Sequence, residues 1–182
     1  MRTVAVIGSG TMGSGIAQVC AQTGWETRLY DAFPESLDKG MNSIDEFWKS
    51  GIRRGKNTEE QVKDWSEKLV PCGNLEDALS GVDLVIEAVP EKIDLKRSIF
   101  QKIEELAPEN AILATNTSGL RISEIASVVK NPERVVGMHF FNPVPIMKLL
   151  EVIKHDSSSD DTIDEVIAVS YTHLTLPTIA IV

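Results

Sequence analysis

Three things are scarce in this sequence: cysteine, positive charge and long apolar runs. Its two cysteines, Cys20 and Cys72, and its three histidines, His139, His155 and His173, show no metal-ligand spacing, so no metal site is expected. Cys20 lies within an apolar helical pattern (Ile16, Ala17, Val19, Cys20), the usual setting of a buried, inert thiol. Lysine and arginine number 18 against 27 aspartates and glutamates, a formal charge of -9. That balance argues against nucleic acid or an anionic membrane as the main partner, although a local basic patch can still hold an anionic ligand. No apolar run approaches the about 18 residues that a membrane span needs, and nothing resembles a leader. Cytoplasm is the expected compartment. With 42% hydrophobic and 25% charged residues the composition is that of a globular protein. The 182 residues suffice for one full α/β domain and are short for two.

What is present starts at the N-terminus. Thr3 to Ile7 is a short β-branched run, as in a strand buried on both faces. Gly8-Ser9-Gly10-Thr11-Met12-Gly13 follows, then a helical stretch to Thr23, a stop at Gly24, and a strand from Glu26 to Tyr30 that ends at Asp31. In such a unit Gly8 allows the tight turn, Gly10 lets the backbone approach a pyrophosphate, and Gly13 lets helix pack on strand. Phosphates sit at the helix start, where free N–H groups and the dipole favour negative charge, with Thr11 and Met12 in that first turn. Asp31 is placed to accept hydrogen bonds from ribose hydroxyls, and its charge would repel a 2′-phosphate. The expected cofactor is therefore NAD.

From Pro34 to about Val70 the pattern is polar and helical, broken near residues 51–57. It reads as two antiparallel helices standing off the sheet, with Arg53, Arg54 and Lys56 as a basic tip suited to phosphates. Strands follow at 83–88, 111–115, 134–138 and 148–153, with helices at 92–106 and 122–129 between them. This alternation predicts a doubly wound, mostly parallel sheet of Rossmann type with a helical-hairpin insertion. Trp25, Trp48 and Trp65, like Met138 and Met147, read as packing.

A second constellation combines Asn116-Thr117-Ser118 with His139-Phe140-Phe141-Asn142-Pro143. Both follow predicted strands, at the edge where open α/β sheets bind ligands. Glu151, on the return strand, is placed to meet His139. A carboxylate on one imidazole nitrogen fixes the tautomer and leaves the other as a base.

Taken together, the Gly8–Ala17 segment, Glu87-Ala88-Val89-Pro90-Glu91, Asn116-Thr117-Ser118 and His139–Pro143 resemble the L-3-hydroxyacyl-CoA dehydrogenase family, especially its 3-hydroxybutyryl-CoA type. The resemblance spans about residues 1–168. It implies NAD-dependent, reversible oxidation of L-3-hydroxyacyl-CoA to 3-oxoacyl-CoA, with His139 as base and Glu151 as its orienting partner. It further implies that Ser118 contacts the substrate oxygen, that Asn142 lies near cofactor and histidine, and that Asp31, Glu91 and Lys96 are cofactor positions. Arg54 falls on a CoA-contacting position of the hairpin, with Lys56 beside it, while Phe47 stands where some relatives carry serine. Family members continue into an all-helical domain that makes a homodimer and completes the substrate pocket; it is expected to be absent here, leaving residues 1–168 as an NAD-binding catalytic domain of low activity alone. Residues 169–182 break the pattern: Ser170 to Thr178 resemble the translation of a transposon-end sequencing adaptor, so this tail is left out of functional reasoning. Two rivals remain, an NAD-linked hydroxy-acid or sugar-acid dehydrogenase that does not use CoA, and a non-catalytic NAD-binding module.

Overall fold

The computed structural model describes residues 2–170 and 176–181. Eight strands form one sheet: β1 (Thr3–Ile7), β2 (Glu26–Tyr30), β3 (Leu69–Cys72), β4 (Leu84–Glu87), β5 (Ile112–Thr115), β6 (Val135–Phe140), β7 (Leu149–Lys154) and β8 (Leu176–Ile181). Their order is β3-β2-β1-β4-β5-β6-β7-β8. The first six strands are mutually parallel, β7 runs antiparallel to β6, and β8 runs parallel to β7. The expected Rossmann-type α/β fold is what the chain forms. Hydrophobic clusters lie on both faces, one around Val4, Val6, Ile16 and Leu29, the other around Ala5, Ile7, Phe100 and Ile103. Adjacent residues of β1 thus face opposite cores, which is why that strand is apolar at every position.

Two strands lie outside the sequence expectation. β3 is an edge strand of four residues that contains Pro71, and only its end residues Leu69 and Cys72 are buried. A proline cannot donate to a ladder, so it is tolerated at an edge and hides the strand signal. β8 falls in the tail that composition set aside; its backbone pairs with β7 from Leu149 to Lys154. The rest of the adaptor-like string, residues 171–175, lies outside the described residues.

Helix α1 (Thr11–Gln22) follows the glycine turn, and α2 (Pro34–Arg53) and α3 (Glu59–Lys68) form the hairpin. Thr58 and Gln61 make a reciprocal capping box that starts α3 sharply after the tip. The hairpin does not stand free of the domain. Trp48 is 2% exposed and packs against Trp65 with ring centroids 5.9 Å apart. At Gly40 a Cβ would come 2.7 Å from the Ser9 carbonyl oxygen, so α2 rests directly on the glycine turn. The remaining helices are α4 (Leu75–Leu79), α5 (Ile93–Leu106), α6 (Ile122–Ala126) and α7 (Asp160–Val169).

Beneath the carboxyl ends of β4 and β5 sits a fully buried ion pair. Glu87 and Lys96 are both 0% exposed, with Nζ 2.7 and 2.9 Å from the two carboxylate oxygens. Glu87 also accepts from Val89 N at 2.7 Å and from Thr115 Oγ1 at 2.6 Å, so each oxygen has two donors. Lys96 reaches the Val89 carbonyl as well, at 3.3 Å. A satisfied pair of this kind fixes the 88–91 turn against β5, whereas breaking it leaves a buried, uncompensated charge.

Two stability outcomes follow. Lys96→Met should cost about 3 to 5 kcal/mol, while the charge-free pair Glu87→Gln/Lys96→Met should recover most of that loss in urea melts. Gly13→Ala places a Cβ 1.7 Å from the Gly8 carbonyl oxygen, so a helix–turn shift and a loss of about 3 kcal/mol are expected in the same assay.

Candidate active site

A cleft of about 900 Å³ runs along the carboxyl edge of the sheet. Its floor is the turn between β1 and α1. Gly8 takes φ +102°, and a Cβ there would lie 2.8 Å from the Ala88 carbonyl oxygen, so only glycine fits. Gly10 is the opposite case: a Cβ would meet nothing within 4 Å, because this residue faces the open cleft. It is also the N-cap of α1 and offers no side-chain cap, which leaves first-turn N–H groups for a ligand. Gly10, Thr11 and Met12 line the cleft. An open backbone cradle at an uncapped helix start fits the pyrophosphate of a dinucleotide.

One end of the cleft is set by Asp31. Its Oδ2 accepts from Ser9 N at 2.8 Å and from Ser9 Oγ at 2.9 Å, and its Oδ1 accepts from Phe33 N at 3.0 Å. A carboxylate has about four acceptor positions, so roughly one remains for a ribose hydroxyl. Asp31 therefore both closes the glycine turn and offers a ligand contact. Ser9, to which the glycine motif assigns no role, is the residue it holds.

The middle of the cleft is walled by the turn after β4. Glu91 Oε1 accepts from Thr117 Oγ1, from Ser118 N at 2.9 Å and, more weakly, from Gly119 N at 3.3 Å. Its Oε2 lies 3.4 Å from Lys96 Nζ. Burial pushes this carboxyl up, but the donors at Thr117 and Ser118 and the Lys96 ammonium outweigh burial and hold it below its ordinary value of 4.5. Its stabilising contribution is thus complete above about pH 4.5 and is lost as pH falls through the lower folded value.

At the far end, β6 and β7 place His139 and Glu151 directly opposite each other. His139 Nδ1 lies 2.8 Å from Glu151 Oε2. An ionised carboxylate only accepts, so Nδ1 carries the proton and Nε2 is left as the basic nitrogen. The Phe141 ring packs on the imidazole, centroids 4.7 Å apart and tilted by 46°. Asn116 Oδ1 accepts from Phe140 N at 2.8 Å and so pins β6 beside the histidine to the end of β5. That asparagine was legible as part of a motif, but its positioning role was not.

The structure brings most of the sequence candidates together. Gly8, Gly10, Thr11, Met12 and Asp31 line one half of the cleft, and Glu91, Ser118, His139 and Asn142 line the other. Gly13 lies under the turn against Gly8, and Glu151 backs the histidine. Lys96 does not line the cleft. Its ammonium is buried against Glu87 and lies 3.4 Å from Glu91, which lines the cleft. Arg54 and Lys56 sit at the hairpin tip outside the cleft, exposed, with Arg54 Nε donating to the Ser50 carbonyl at 3.1 Å. Cys20 is fully buried and its thiol pKa is pushed up to about 12 by desolvation, which makes it unreactive. Among the described residues no cluster of histidine, cysteine, aspartate and glutamate could hold a metal, and no helix is long and apolar enough to cross a membrane.

Comparison with known proteins agrees with this geometry. Residues 3–175 match the family model for the NAD binding domain of 3-hydroxyacyl-CoA dehydrogenase. A 3-hydroxyadipyl-CoA dehydrogenase of Escherichia coli is 42% identical over 91% of this chain and 34% of its own length. A 3-hydroxybutyryl-CoA dehydrogenase of Clostridioides difficile is 43% identical over 92% of the chain and 59% of its own. The crystal structure of (S)-3-hydroxybutyryl-CoA dehydrogenase from Ralstonia eutropha superposes with a TM-score of 0.96 at 36% identity, over 100% of this chain and 64% of that one. The chain thus spans well under two thirds of the curated relatives it matches. With a glycine turn, an aspartate at the end of β2 and a histidine–glutamate pair on one sheet edge, and with sequence and structural kinship over nearly all of its length, this chain belongs to the 3-hydroxyacyl-CoA dehydrogenase family, whose NAD-binding domain it contains.

Proposed function

We propose that this chain binds NAD in the cleft and uses His139 to oxidise the 3-hydroxyl of an L-3-hydroxyacyl-CoA, 3-hydroxybutyryl-CoA in the first instance, giving the 3-oxoacyl-CoA reversibly. The observation that carries the reading is the pairing of His139 Nδ1 with Glu151 at 2.8 Å, at the end of a cleft whose floor is the glycine turn. Held on the Gly8–Gly13 turn and Asp31, NAD would supply the acceptor for the hydrogen at C3 and its electron pair. His139 Nε2 takes the hydroxyl proton as the C–O bond becomes a carbonyl, and Glu151 stabilises the resulting imidazolium through Nδ1–H. In the reverse direction the imidazolium returns that proton to the carbonyl oxygen. Ser118, one residue from the Glu91-held Thr117 and on the cleft wall, is assigned to orient the substrate oxygen. Asn142, four residues from Met138 on the same segment as the histidine, is assigned to the cofactor's reactive end.

The hairpin tip with Arg54 and Lys56 is assigned to the CoA phosphates. Its placement outside the cleft suits a long substrate whose reactive end alone reaches His139. Relatives named for acyl-CoA substrates favour this reading over a hydroxy acid without CoA. The paired His139 and Glu151 favour it over a non-catalytic module. A cytoplasmic, homodimeric full-length protein, with dimer contacts in a C-terminal helical domain, completes the proposal.

Titration calorimetry of the chain should show NAD binding and at least about tenfold weaker NADP binding, since Asp31 would face the 2′-phosphate. Equal affinity for the two would contradict the assignment of Asp31. In a chimera carrying the C-terminal half of a relative, His139→Gln should lower the rate of acetoacetyl-CoA reduction by about 10²- to 10⁴-fold. A loss smaller than about tenfold would remove the histidine from the chemistry.

A further inference from the structure

We infer that the Glu91 carboxylate is the group that makes this cleft discriminate between the oxidised and the reduced nicotinamide, favouring the cationic ring of NAD over the neutral ring of NADH. The inference rests on the NAD reading above and assigns a specificity within it.

Among the described residues, Asp31, Glu91 and Lys102 bring full charges to the cleft lining, and His139 lines it with the Glu151 carboxylate behind it, 2.8 Å from Nδ1. Asp31 stands at the ribose end, on the strand next to the edge. Lys102 is nine residues into α5, about 14 Å along the axis from the start of that helix, on a stripe with Leu95 and Ile99. Glu91 lies just before the same helix and is bonded to the Thr117–Gly119 turn, on the wall it shares with Ser118. It is therefore the anionic group that lines the His139 side of the cleft, the Glu151 carboxylate lying behind the imidazole and bonded to its Nδ1.

Its charge is not cancelled locally. The cation nearest to it, Lys96, is neutralised by Glu87, with both Nζ–O distances below 3 Å, against 3.4 Å to Glu91. Glu87, Lys96 and Glu91 together carry one net negative charge, and the only member that lines the cleft is Glu91. The carboxylate is also held still. Thr117, Ser118 and Gly119 all donate to Oε1, so the charge keeps one position when a ligand enters. A fixed carboxylate in a partly dry cleft lowers the free energy of a nearby cation and leaves a neutral ring unaffected. The donors to Oε1 are dipoles, so they hold this exposed carboxylate in place without neutralising it.

A purely structural role for Glu91 would act differently. If it only shaped the wall, its loss would weaken NAD and NADH in equal proportion. The ratio of the two dissociation constants separates the roles. It is measured on the chain itself by calorimetry or by tryptophan quenching, with ADP-ribose as a ligand that lacks nicotinamide. Glu91→Gln keeps the acceptor for Thr117 and Ser118 but removes the charge. It should shift the NAD:NADH affinity ratio towards NADH by about fivefold, with ADP-ribose affinity changed less than about twofold. Glu91→Asp, which keeps the charge, should hold the ratio close to wild type. Thr117→Val, which loosens the carboxylate without discharging it, should weaken both cofactors by similar factors. Glu91→Ser reads the same contrast if the amide variant does not fold. An unchanged ratio in a folded, charge-free variant that still binds NAD overturns the inference. Failure of the wild-type chain to bind NAD at all would instead overturn the cofactor assignment.

Discussion

Antiparallel pairing of β6 with β7 sets residue 139 opposite residue 151, and the proposed chemistry depends on that register. In the six parallel strands, residues at equal depth come from distant parts of the chain and are joined by helical crossovers. Where the last pair reverses, a short excursion suffices, and two residues only twelve apart become cross-strand neighbours. A slip of one residue would turn Glu151 to the other face and leave the imidazole with neither a fixed tautomer nor a partner for its charge. The register is guarded by core packing. Val152 and Leu150 flank Glu151 and are fully buried, as are Met138 and Phe140 around His139 at 2% exposure or less.

Depth in the sheet separates the buried ionic groups from those that line the cleft. Glu87 and Lys96 are completely dry and saturate each other, so their charges stay inside and hold the turn that follows β4. One layer outward, Glu91, Asp31 and His139 each have one side engaged by protein donors or acceptors and the other side open to the cleft. Such half-satisfied groups are rigid enough to select a ligand and still have capacity to bind it. Asp31 shows the economy of the arrangement, since the same carboxylate closes the glycine turn through Ser9 and leaves about one acceptor position free.

Much of this was legible from sequence, for local reasons. The β1–turn–α1–β2 unit is specified by glycines set by local backbone, Gly8 by its positive φ and Gly13 by its approach to the Gly8 carbonyl. The histidine and glutamate lie on β6 and β7, which the alternation of apolar and helical segments locates. What stayed hidden depends on long-range neighbours. β3 exists because β2 offers an edge to pair with, and Pro71 masks it. Lys96 is a cofactor position by resemblance alone; only the fold shows that its helix turns it inward onto Glu87, nine residues back. Asn116 is in plain sight in its motif, yet its bond to Phe140 N spans 24 residues. The hairpin reads as an appendage, and only coordinates show Gly40 of α2 seated on Ser9.

The central claim is spatial: cofactor and base are delivered to one rim of the sheet. A crystal structure of the chain with NAD tests this most directly. The account predicts the pyrophosphate on the Gly10–Met12 amides and the nicotinamide ring in the space bounded by Glu91, Ser118, His139 and Asn142. Density showing the ring turned out to solvent, or the dinucleotide reversed with its adenine beside His139, would contradict it.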